Sequence, residues 1–297
     1  MSRPPAKRGP RKIPGARFFP ARLGPKAAED EDEGGAVRNP GGGLTLRAML
    51  PNAITAAALC SGLTGIRYAT EGQWTFAIGL VVLASVLDGI DGRVARLLNA
   101  QSRFGAELDS LADSLSFGVA PALILFMWSL QDWPRFGWFA ALAFAICCAL
   151  RLARFNARID LDDQPHKSAG FLTGVPAPVG AGLAFTPFYL WHETGYALFR
   201  DPVLMALWLT VIAILMISNM ATLSWASLRP RRSVRLPLIA FTGLAFAALL
   251  VEPWWTLAAI SIVYLALMPY GLVKYGRIKQ RRRLEASGGA PSGGDAA

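Results

Sequence analysis

The stretch DGIDGRVARLLNAQSRFGAELDSLAD, residues 88–113, places four aspartates inside one of the most apolar parts of the chain. The run before it, WTFAIGLVVLASVL (residues 74–87), is apolar enough to lie in lipid, and so is FGVAPALILFMWSL (residues 117–130) after it. Ionisable residues are costly inside a membrane and usually mark a functional site. The stretch therefore predicts an acidic site at the ends of two membrane helices.

The spacing of the four aspartates predicts that their side chains converge. Asp88 and Asp91 are three residues apart, and Asp109 and Asp113 are four apart, so each pair lies on one face of a helix. The polar connection at residues 98–103 is short, so the two helices are expected to be antiparallel neighbours. Four carboxylates can then meet in one pocket.

Composition places this stretch in a polytopic membrane protein of the all-α class. The chain has 297 residues, of which 53% are hydrophobic and only 17% are charged, whereas a soluble domain carries about a quarter charged residues. Its apolar residues form long runs, and runs of roughly 18 or more indicate membrane-spanning helices. Eight such helices are predicted, at residues 52–70, 74–95, 106–129, 136–153, 171–191, 202–227, 236–252 and 254–273.

The distribution of basic residues predicts the orientation of the chain. The net charge of +10 could suggest nucleic-acid binding, but 27 of the 30 Lys and Arg residues fall on one side when eight helices connect two cytoplasmic termini. The other three are Arg67, Arg135 and Arg200. The positive-inside rule expects this bias, and the same charge attracts anionic lipid. We therefore expect an inner-membrane protein whose acidic site faces the cytoplasm, with no nucleic acid as partner.

Three regions are predicted along the chain. Residues 1–43 are rich in Pro, Gly and charge and lack the apolar core of a signal peptide, which indicates a disordered basic arm. Residues 44–280 form the transmembrane domain, where LTLRAMLPN (residues 44–52) lies along the interface and Pro51 marks entry to the first spanning helix. Residues 281–297 form a disordered tail.

Cysteine and histidine do not form a metal site in this interpretation. Cys60, Cys147 and Cys148 fall in apolar spans, and their odd number predicts neither a disulfide framework nor a zinc site. His166 and His192 lie in predicted loops on opposite faces of the membrane. A His/Cys cluster is therefore not expected.

Divalent cations would reconcile the four aspartates with their apolar surroundings. Four anions in a low-dielectric site repel one another strongly when they are unpaired. Mg²⁺ and Mn²⁺ suit hard oxygen ligands, and two metals roughly 3.5–4 Å apart recur in enzymes that displace groups at phosphorus. The alternative is the ion relay of a transporter, which predicts acids spread through the membrane depth and inverted repeats.

Small residues and one arginine accompany the acids. Gly92, Ala95 and Gly105 would let a ligand approach the helix backbones, although small residues equally permit tight helix packing. Arg96, one turn after Gly92, can reach a phosphate oxygen, or it can simply be one of the positive-inside charges.

The spacing Asp-x2-Asp-Gly-x2-Ala-Arg-x8-Gly-x3-Asp-x3-Asp, which starts at Asp88 and ends at Asp113, resembles the full signature of the CDP-alcohol phosphotransferases. The resemblance implies an integral membrane enzyme that uses a CDP-linked donor and an alcohol acceptor, releases CMP and forms a phosphodiester. It also implies a six-helix core, a homodimer and two divalent metals at this motif.

The resemblance also implies roles for the motif residues. Asp88, Asp91 and Asp109 become metal ligands, and Asp113 becomes both a ligand and the general base that takes the acceptor's hydroxyl proton. Around the CDP moiety it places Gly92, Ala95, Arg96 and Gly105.

Further stretches resemble the bacterial and archaeal phosphatidylserine synthase branch of this family, and they imply CDP-diacylglycerol and L-serine as substrates. These stretches are LPNAITAAALCSG (residues 50–62), SFGVAPA (116–122), ALRLARFN (149–156) and GFLTGVPAPVGA (170–181). Glycerol 3-phosphate, inositol phosphate and choline remain alternative acceptors within the family.

The same stretches supply candidate contacts for the two substrates. Arg151, Arg154 and Asn156 are candidates for the acceptor, with positive-inside topology as the alternative for the arginines. Asn52 and Thr55 are candidates for the nucleotide, with helix capping or packing as the alternative. Pro176 and Pro178 predict a break in regular helix geometry, which suits a shaped cavity or a simple kink.

Overall fold

The computed structural model describes residues 46–159, 171–218, 221–223 and 232–268. The predicted arm (1–43), the predicted tail (281–297) and His166 lie outside these residues. Within them the helices are α1 Leu46–Thr70, α2 Trp74–Leu97, α3 Arg103–Asp113, the π-helix Ser114–Val119, α4 Ala120–Trp128, α5 Pro134–Ile159, α6 Ala177–Ala184, α7 Thr186–Thr194, α8 Pro202–Ile217, α9 Arg232–Val251 and α10 Pro253–Met268.

Among the described residues, four helical segments are long and apolar enough to cross a membrane. They are Met49–Thr70, Trp74–Leu97, Arg103–Trp128 and Pro134–Ala157. Three shorter apolar helices follow, at Pro202–Ile217, Leu236–Val251 and Pro253–Met268. A helical membrane architecture is confirmed. Of the eight predicted spans, the first four correspond to these long helices, and the later ones are shorter or interrupted in the described residues.

The first two helices form a closely packed antiparallel hairpin. Gly72 adopts a positive φ of 75° in the turn between them. The Ser61 hydroxyl of α1 donates to the carbonyl of Leu80 at 2.7 Å, and a Cβ on Gly65 would lie only 2.7 Å from the Ala77 carbonyl oxygen. Gly65 therefore allows the backbones of α1 and α2 to approach closely.

The start of α1 differs from the prediction. The helix already begins at Leu46, so Pro51 lies inside it rather than at its entry. Pro51 is in the second turn, where the missing N–H removes a single intrahelical hydrogen bond, and the helix tolerates this loss near its end.

The third span contains an irregularity that the sequence did not predict. The Arg103–Trp128 span is composed of α3, a six-residue π-helix and α4, which follow one another without a break. A π-helix pairs residues five apart and thus holds an additional residue in the turn. Its first residue, Ser114, comes directly after Asp113.

The predicted span at residues 171–191 is wrong as a single helix. It consists of strand β1 (Phe171–Thr173), α6 and α7, with Phe185 between the two helices. Pro176 is the N-cap residue of α6 and Pro178 lies in its first turn. Pro187 lies in the first turn of α7 and cannot donate a backbone hydrogen bond to continue α6. The break expected from Pro176 and Pro178 is therefore confirmed.

The span predicted at residues 202–227 also ends early. α8 stops at Ile217, and strand β2 (Ala221–Leu223) follows. β2 pairs with β1 in antiparallel register, with Phe171 opposite Leu223 and Thr173 opposite Ala221. This short ladder is the exception to the all-α class within the described residues.

An aromatic cluster, which we call the aromatic end, consists of Trp128, Phe188, Trp191 and Trp254. The Trp128 ring meets Phe188 at 5.3 Å and Trp191 at 5.6 Å, and Phe188 meets Trp254 at 5.7 Å. Trp128 lies fifteen residues beyond Asp113 along one span, which is roughly 20 Å at the rise of a helix. The aromatic end and the aspartates therefore occupy opposite ends of that span.

Two polar side chains complete the aromatic end. The Arg200 guanidinium lies 5.5 Å from the centre of the Trp191 ring, and its Nε donates to the carbonyl of Trp128 at 3.1 Å. His192 is in α7 rather than in a loop, and it stacks on Phe188 at 5.8 Å.

Candidate active site

The structure brings the four aspartates together in what we call the acid cluster (Asp88, Asp91, Asp109 and Asp113). Asp88 and Asp91 lie in the last three turns of α2, and the other two lie on α3. Asp88, Asp91 and Asp109 each present a carboxylate oxygen, and these oxygens lie within 4.8 Å of one another. The Asp113 carboxyl lies within hydrogen-bonding distance of Asp88. The spacing argument thus predicts the observed neighbours.

Helix α1 orients one member of the acid cluster. The Thr55 hydroxyl lies 2.6 Å from Asp91 Oδ2 and 3.1 Å from the carbonyl oxygen of Pro51. A hydroxyl has one proton to donate, and the shorter contact is the one to the carboxylate. Asp91 is also the most buried of the four acids, with 4% of its surface exposed. Thr55 therefore contacts the acid cluster, a role that sequence reasoning missed when it assigned the residue to the nucleotide or to packing.

The two motif glycines have different surroundings. A Cβ on Gly105 would lie 2.9 Å from Asn52 Oδ1 and 3.1 Å from the Ser102 hydroxyl, so this glycine lets α3 approach α1. A Cβ on Gly92 would meet nothing within 4 Å, so helix packing does not require this glycine. Open space beside Gly92 is what the backbone approach of a ligand needs.

Arg96 and Ala95 follow Gly92 near the end of α2. The Nε of Arg96 donates to the Gly92 carbonyl at 2.9 Å, which lays the exposed side chain along the helix surface beside Gly92. Ala95 is half-buried. The arginine therefore presents its positive charge next to the open backbone of Gly92.

The three candidate acceptor residues on α5 have distinct partners. Arg154 donates from Nη1 to the Ile217 carbonyl at 3.1 Å, at the last residue of α8. Asn156 donates from Nδ2 to the Ser110 hydroxyl at 2.8 Å. For Arg151, in contrast, the described residues offer no hydrogen-bond acceptor to the buried Nε. Its guanidinium is close enough to Asp113 for a direct electrostatic attraction.

These contacts separate the two arginines that the sequence could not distinguish. Arg154 caps the C-terminal end of α8, where a cation and its N–H groups satisfy free carbonyls. Arg151 is attracted to Asp113 of the acid cluster, and its buried Nε has no hydrogen-bond acceptor among the described residues. Ser110, which contacts Asn156, was missed by sequence reasoning, although its position directly after Asp109 in the motif is a signal that could have identified it.

The chemistry of the acid cluster fits a hard divalent cation. Three carboxylate oxygens within 4.8 Å of one another are the ligand type that Mg²⁺, Mn²⁺ and Ca²⁺ prefer. Neither His nor Cys belongs to this group of ligands. The half-buried positions of Asp88 and Asp109 leave room for a substrate oxygen beside the protein ligands.

Comparison with known proteins agrees with this geometry. The sequence profile described as CDP-alcohol phosphatidyltransferase matches residues 48–218, and a second profile, CDP-alcohol phosphatidyltransferase 2, matches residues 233–269. The chain is 38% identical over 224 residues to the CDP-diacylglycerol–serine O-phosphatidyltransferase of Mycobacterium tuberculosis. The aligned residues cover 75% of this chain and 78% of that protein.

Two more distant bacteria have similar proteins of the same name. The Helicobacter pylori protein is 33% identical over 227 residues, which cover 76% of this chain and 91% of that relative. The Bacillus subtilis protein is 32% identical over 170 residues, covering 57% of this chain and 87% of the relative. The range that the family profile matches, residues 48–218, includes the acid cluster, Thr55 and Arg151.

Proposed function

The chain belongs to the CDP-alcohol phosphatidyltransferase family, and from this premise we propose that it is a CDP-diacylglycerol–serine O-phosphatidyltransferase. It would transfer the phosphatidyl group of CDP-diacylglycerol to the hydroxyl of L-serine and release CMP. The observation that carries this proposal is the acid cluster, which lies within a chain 33–38% identical to relatives of that name.

The reaction needs one proton transfer and one displacement at phosphorus. Asp113 accepts the proton of the serine hydroxyl, the serine oxygen forms a bond to the phosphorus nearer the lipid, and the bond from that phosphorus to CMP breaks. Bound divalent cations, Mg²⁺ or Mn²⁺ as a pair, would neutralise the diphosphate and the leaving group. Asp88, Asp91, Asp109 and Asp113 would hold them, with Thr55 keeping Asp91 in place.

The nucleotide would lie along the end of α2. The backbone at Gly92 is open, Arg96 lies beside it, and Ala95 and Gly105 flank the same region. The arginine can donate to a phosphate oxygen, and the small residues allow the nucleotide close to the helix. Asn52, which packs against Gly105, is the candidate contact from α1.

The acceptor would be held by Arg151. Its unpartnered Nε suits the carboxylate of serine, since a guanidinium can bind a carboxylate with two hydrogen bonds. Because Arg151 and Asp113 attract each other electrostatically, a serine bound to Arg151 would have its hydroxyl near the proposed base. Asn156 would support this side through Ser110, and Arg154 would hold α5 against α8.

The membrane placement is proposed from the charge distribution. With 27 of 30 basic residues on one side, both termini and the acid cluster would face the cytoplasm of an inner membrane, in an arrangement of eight helical segments around a six-helix core. The domain at residues 44–280, with a disordered arm before it and a disordered tail after it, stays a prediction. The homodimer also stays a prediction, and it rests on family resemblance alone.

An acceptor panel tests the proposed reaction. Purified protein in detergent–lipid micelles receives CDP-diacylglycerol and Mg²⁺ or Mn²⁺, together with L-serine, glycerol 3-phosphate, inositol phosphate or choline in separate reactions. CMP and phosphatidylserine should form with serine, and EDTA should abolish both products. Transfer to a different alcohol would overturn the assignment of serine, and no CMP from folded protein would overturn the proposed reaction.

A further inference from the structure

The π-helix Ser114–Val119 links the acid cluster to the core of the protein. It begins at the residue after Asp113 and runs directly into α4. One additional residue in a turn corresponds to about 100° of rotation relative to a regular α-helix. The π-helix therefore rotates α3, which carries Asp113, relative to α4. As a result, Asp113 points in a direction that a regular helix would not give it for the same packing of α4.

The π-helix lies in the interior of the protein. Ser116, Phe117 and Gly118 are three consecutive residues that are all buried, and the first residues of α4 are buried as well. The π-helix contacts α1, α2, α3, α4, α5 and α6. It is thus held from several sides at the point where the third span leaves the acid cluster.

Two glycine contacts hold the π-helix in place. On one side, a Cβ on Gly62 of α1 would lie 2.7 Å from the Ser116 hydroxyl and 3.0 Å from its Cα. On the other side, a Cβ on Gly118 would lie 3.1 Å from the Cβ of Cys148 on α5. Neither position has space for a methyl group unless its neighbour moves.

The contact on α5 also concerns Arg151. Cys148 and Arg151 are three residues apart and lie on one face of α5. Gly118 lies five residues after Asp113 in the chain. Its contact with Cys148 therefore fixes the third span, close to Asp113, against the helix turn of α5 that carries Arg151. The separation between the carboxyl group of Asp113 and the guanidinium of Arg151 depends on this packing.

We propose that the π-helix Ser114–Val119, held between Gly62 of α1 and Cys148 of α5, is a positioning element that sets Asp113 relative to Arg151. Gly62 and Gly118 are its positioning residues. The inference rests on the proposed function, since it assumes that Asp113 takes a proton from an acceptor bound by Arg151. Asp88 and Asp91 lie on α2, and Asp109 lies one helix turn further from the π-helix than Asp113, so cation binding by these three carboxylates should depend on the π-helix less than the position of Asp113 does.

Gly→Ala substitutions test the inference. Gly62→Ala and Gly118→Ala should each lower kcat with serine about 10- to 100-fold, because a misplacement of about 1 Å has effects of this size. The KM for CDP-diacylglycerol should stay near its wild-type value. Mn²⁺ binding, measured by electron paramagnetic resonance, should weaken much less than kcat falls, because Asp88, Asp91 and Asp109 keep their positions. The matched control is Gly79→Ala in α2, where a Cβ would meet nothing within 4 Å, and this variant should keep the wild-type kcat.

Second-site variants distinguish positioning from general damage. Ser116→Gly should restore much of the kcat of Gly62→Ala, because it removes the two nearest atoms that the new methyl group meets. Cys148→Ala should likewise restore part of the kcat of Gly118→Ala by removing the sulfur 3.3 Å away. If Gly62→Ala does not fold, as thermal melting will show, the Gly118 and Cys148 pair decides the question.

Three results would overturn the inference. One is a kcat for both glycine variants equal to that of Gly79→Ala. Another is a loss of Mn²⁺ binding parallel to the loss of turnover, and the third is an absence of rescue in either pair. A wild-type protein that transfers to no acceptor would instead overturn the proposed function, and the positioning role of the π-helix with it.

Discussion

The acid cluster and the aromatic end occupy the two ends of the third span and are built in opposite ways. At the aromatic end, Trp128 and Phe188 are almost completely buried, and their rings meet neighbouring rings at 5–6 Å. At the acid cluster, three of the four carboxylates are only half-buried, and Gly92 faces open space. At one end the rings pack against one another, and at the other the carboxylates lie beside open space.

This difference shows where stability and chemistry reside. Closely packed aromatic rings contribute to the free energy of unfolding through buried area and ring contacts. Adjacent carboxylates repel one another and lower stability until a cation is bound. Substitutions at the aromatic end should consequently change the free energy of unfolding, and substitutions at the acid cluster should change turnover or substrate and metal binding.

The largest effect is expected from Asp113→Asn at the acid cluster. An amide cannot accept the serine proton, so kcat should fall by a factor on the order of 10²–10⁴, while the melting temperature in detergent should not fall. Asp132→Asn is the matched control, since Asp132 is exposed in the 3₁₀ segment Leu130–Asp132 before α5. Near-normal turnover by Asp113→Asn would show that this residue is not the base.

Trp128→Ala at the aromatic end should give the next largest effect, on stability instead of rate. Removing a large buried ring typically lowers the free energy of unfolding by about 3–5 kcal/mol, which denaturation in detergent would measure. The fraction that stays folded should keep its kcat. Trp255→Ala, at a ring that is 47% exposed, is the control and should change stability much less. A low kcat in folded Trp128→Ala would contradict the separation of the two ends.

Arg151→Gln should raise the KM for serine about 10- to 100-fold, because the variant loses charge-assisted hydrogen bonds to the acceptor carboxylate. The KM for CDP-diacylglycerol should remain near its wild-type value. Arg154→Gln is the internal comparison, and it should lower the melting temperature without changing the KM for serine, since Arg154 binds the end of α8. If Arg154→Gln raised the KM for serine and Arg151→Gln lowered only the melting temperature, Arg154 and not Arg151 would bind the acceptor.

Thr55→Val should have the smallest effect of the series. The variant keeps the shape of the side chain but removes the hydroxyl that lies 2.6 Å from Asp91. Loss of a hydrogen bond to a metal-ligating carboxylate weakens metal affinity about tenfold, so the Mn²⁺ concentration for half-maximal activity should rise by that factor. Thr55→Ser retains the donor and should behave like the wild type. Equal metal dependence in both variants would remove Thr55 from the site.

The acid cluster was predictable because it depends on local periodicity. Spacings of three and four residues place Asp88 with Asp91 and Asp109 with Asp113 whatever surrounds them. A short polar connection then determines that the two helices are neighbours. The helical membrane architecture follows from apolar run length in the same way. Each of these inferences uses residues that are near one another in the chain.

The features that were missed depend on contacts between distant parts of the chain. The β1–β2 ladder joins residues 171–173 to residues 221–223, and Arg154 meets the end of α8 sixty-three residues away. The π-helix depends on Gly62 and Cys148, which lie in other spans. Helix propensity does not distinguish such a wide turn from a regular one, because the neighbouring helices determine which is formed.

The hairpin of α1 and α2 has a consequence for how the protein enters the membrane. Three of its contacts, Ser61 with Leu80, Gly65 with Ala77 and Thr55 with Asp91, lie within residues 46–97, which are synthesised before α3. The growing chain can therefore solvate the carboxylate of Asp91 with a hydroxyl before any metal or third helix is present. In terms of biogenesis, the two aspartates of α2 can be positioned during insertion, and the docking of α3 would then add the other two.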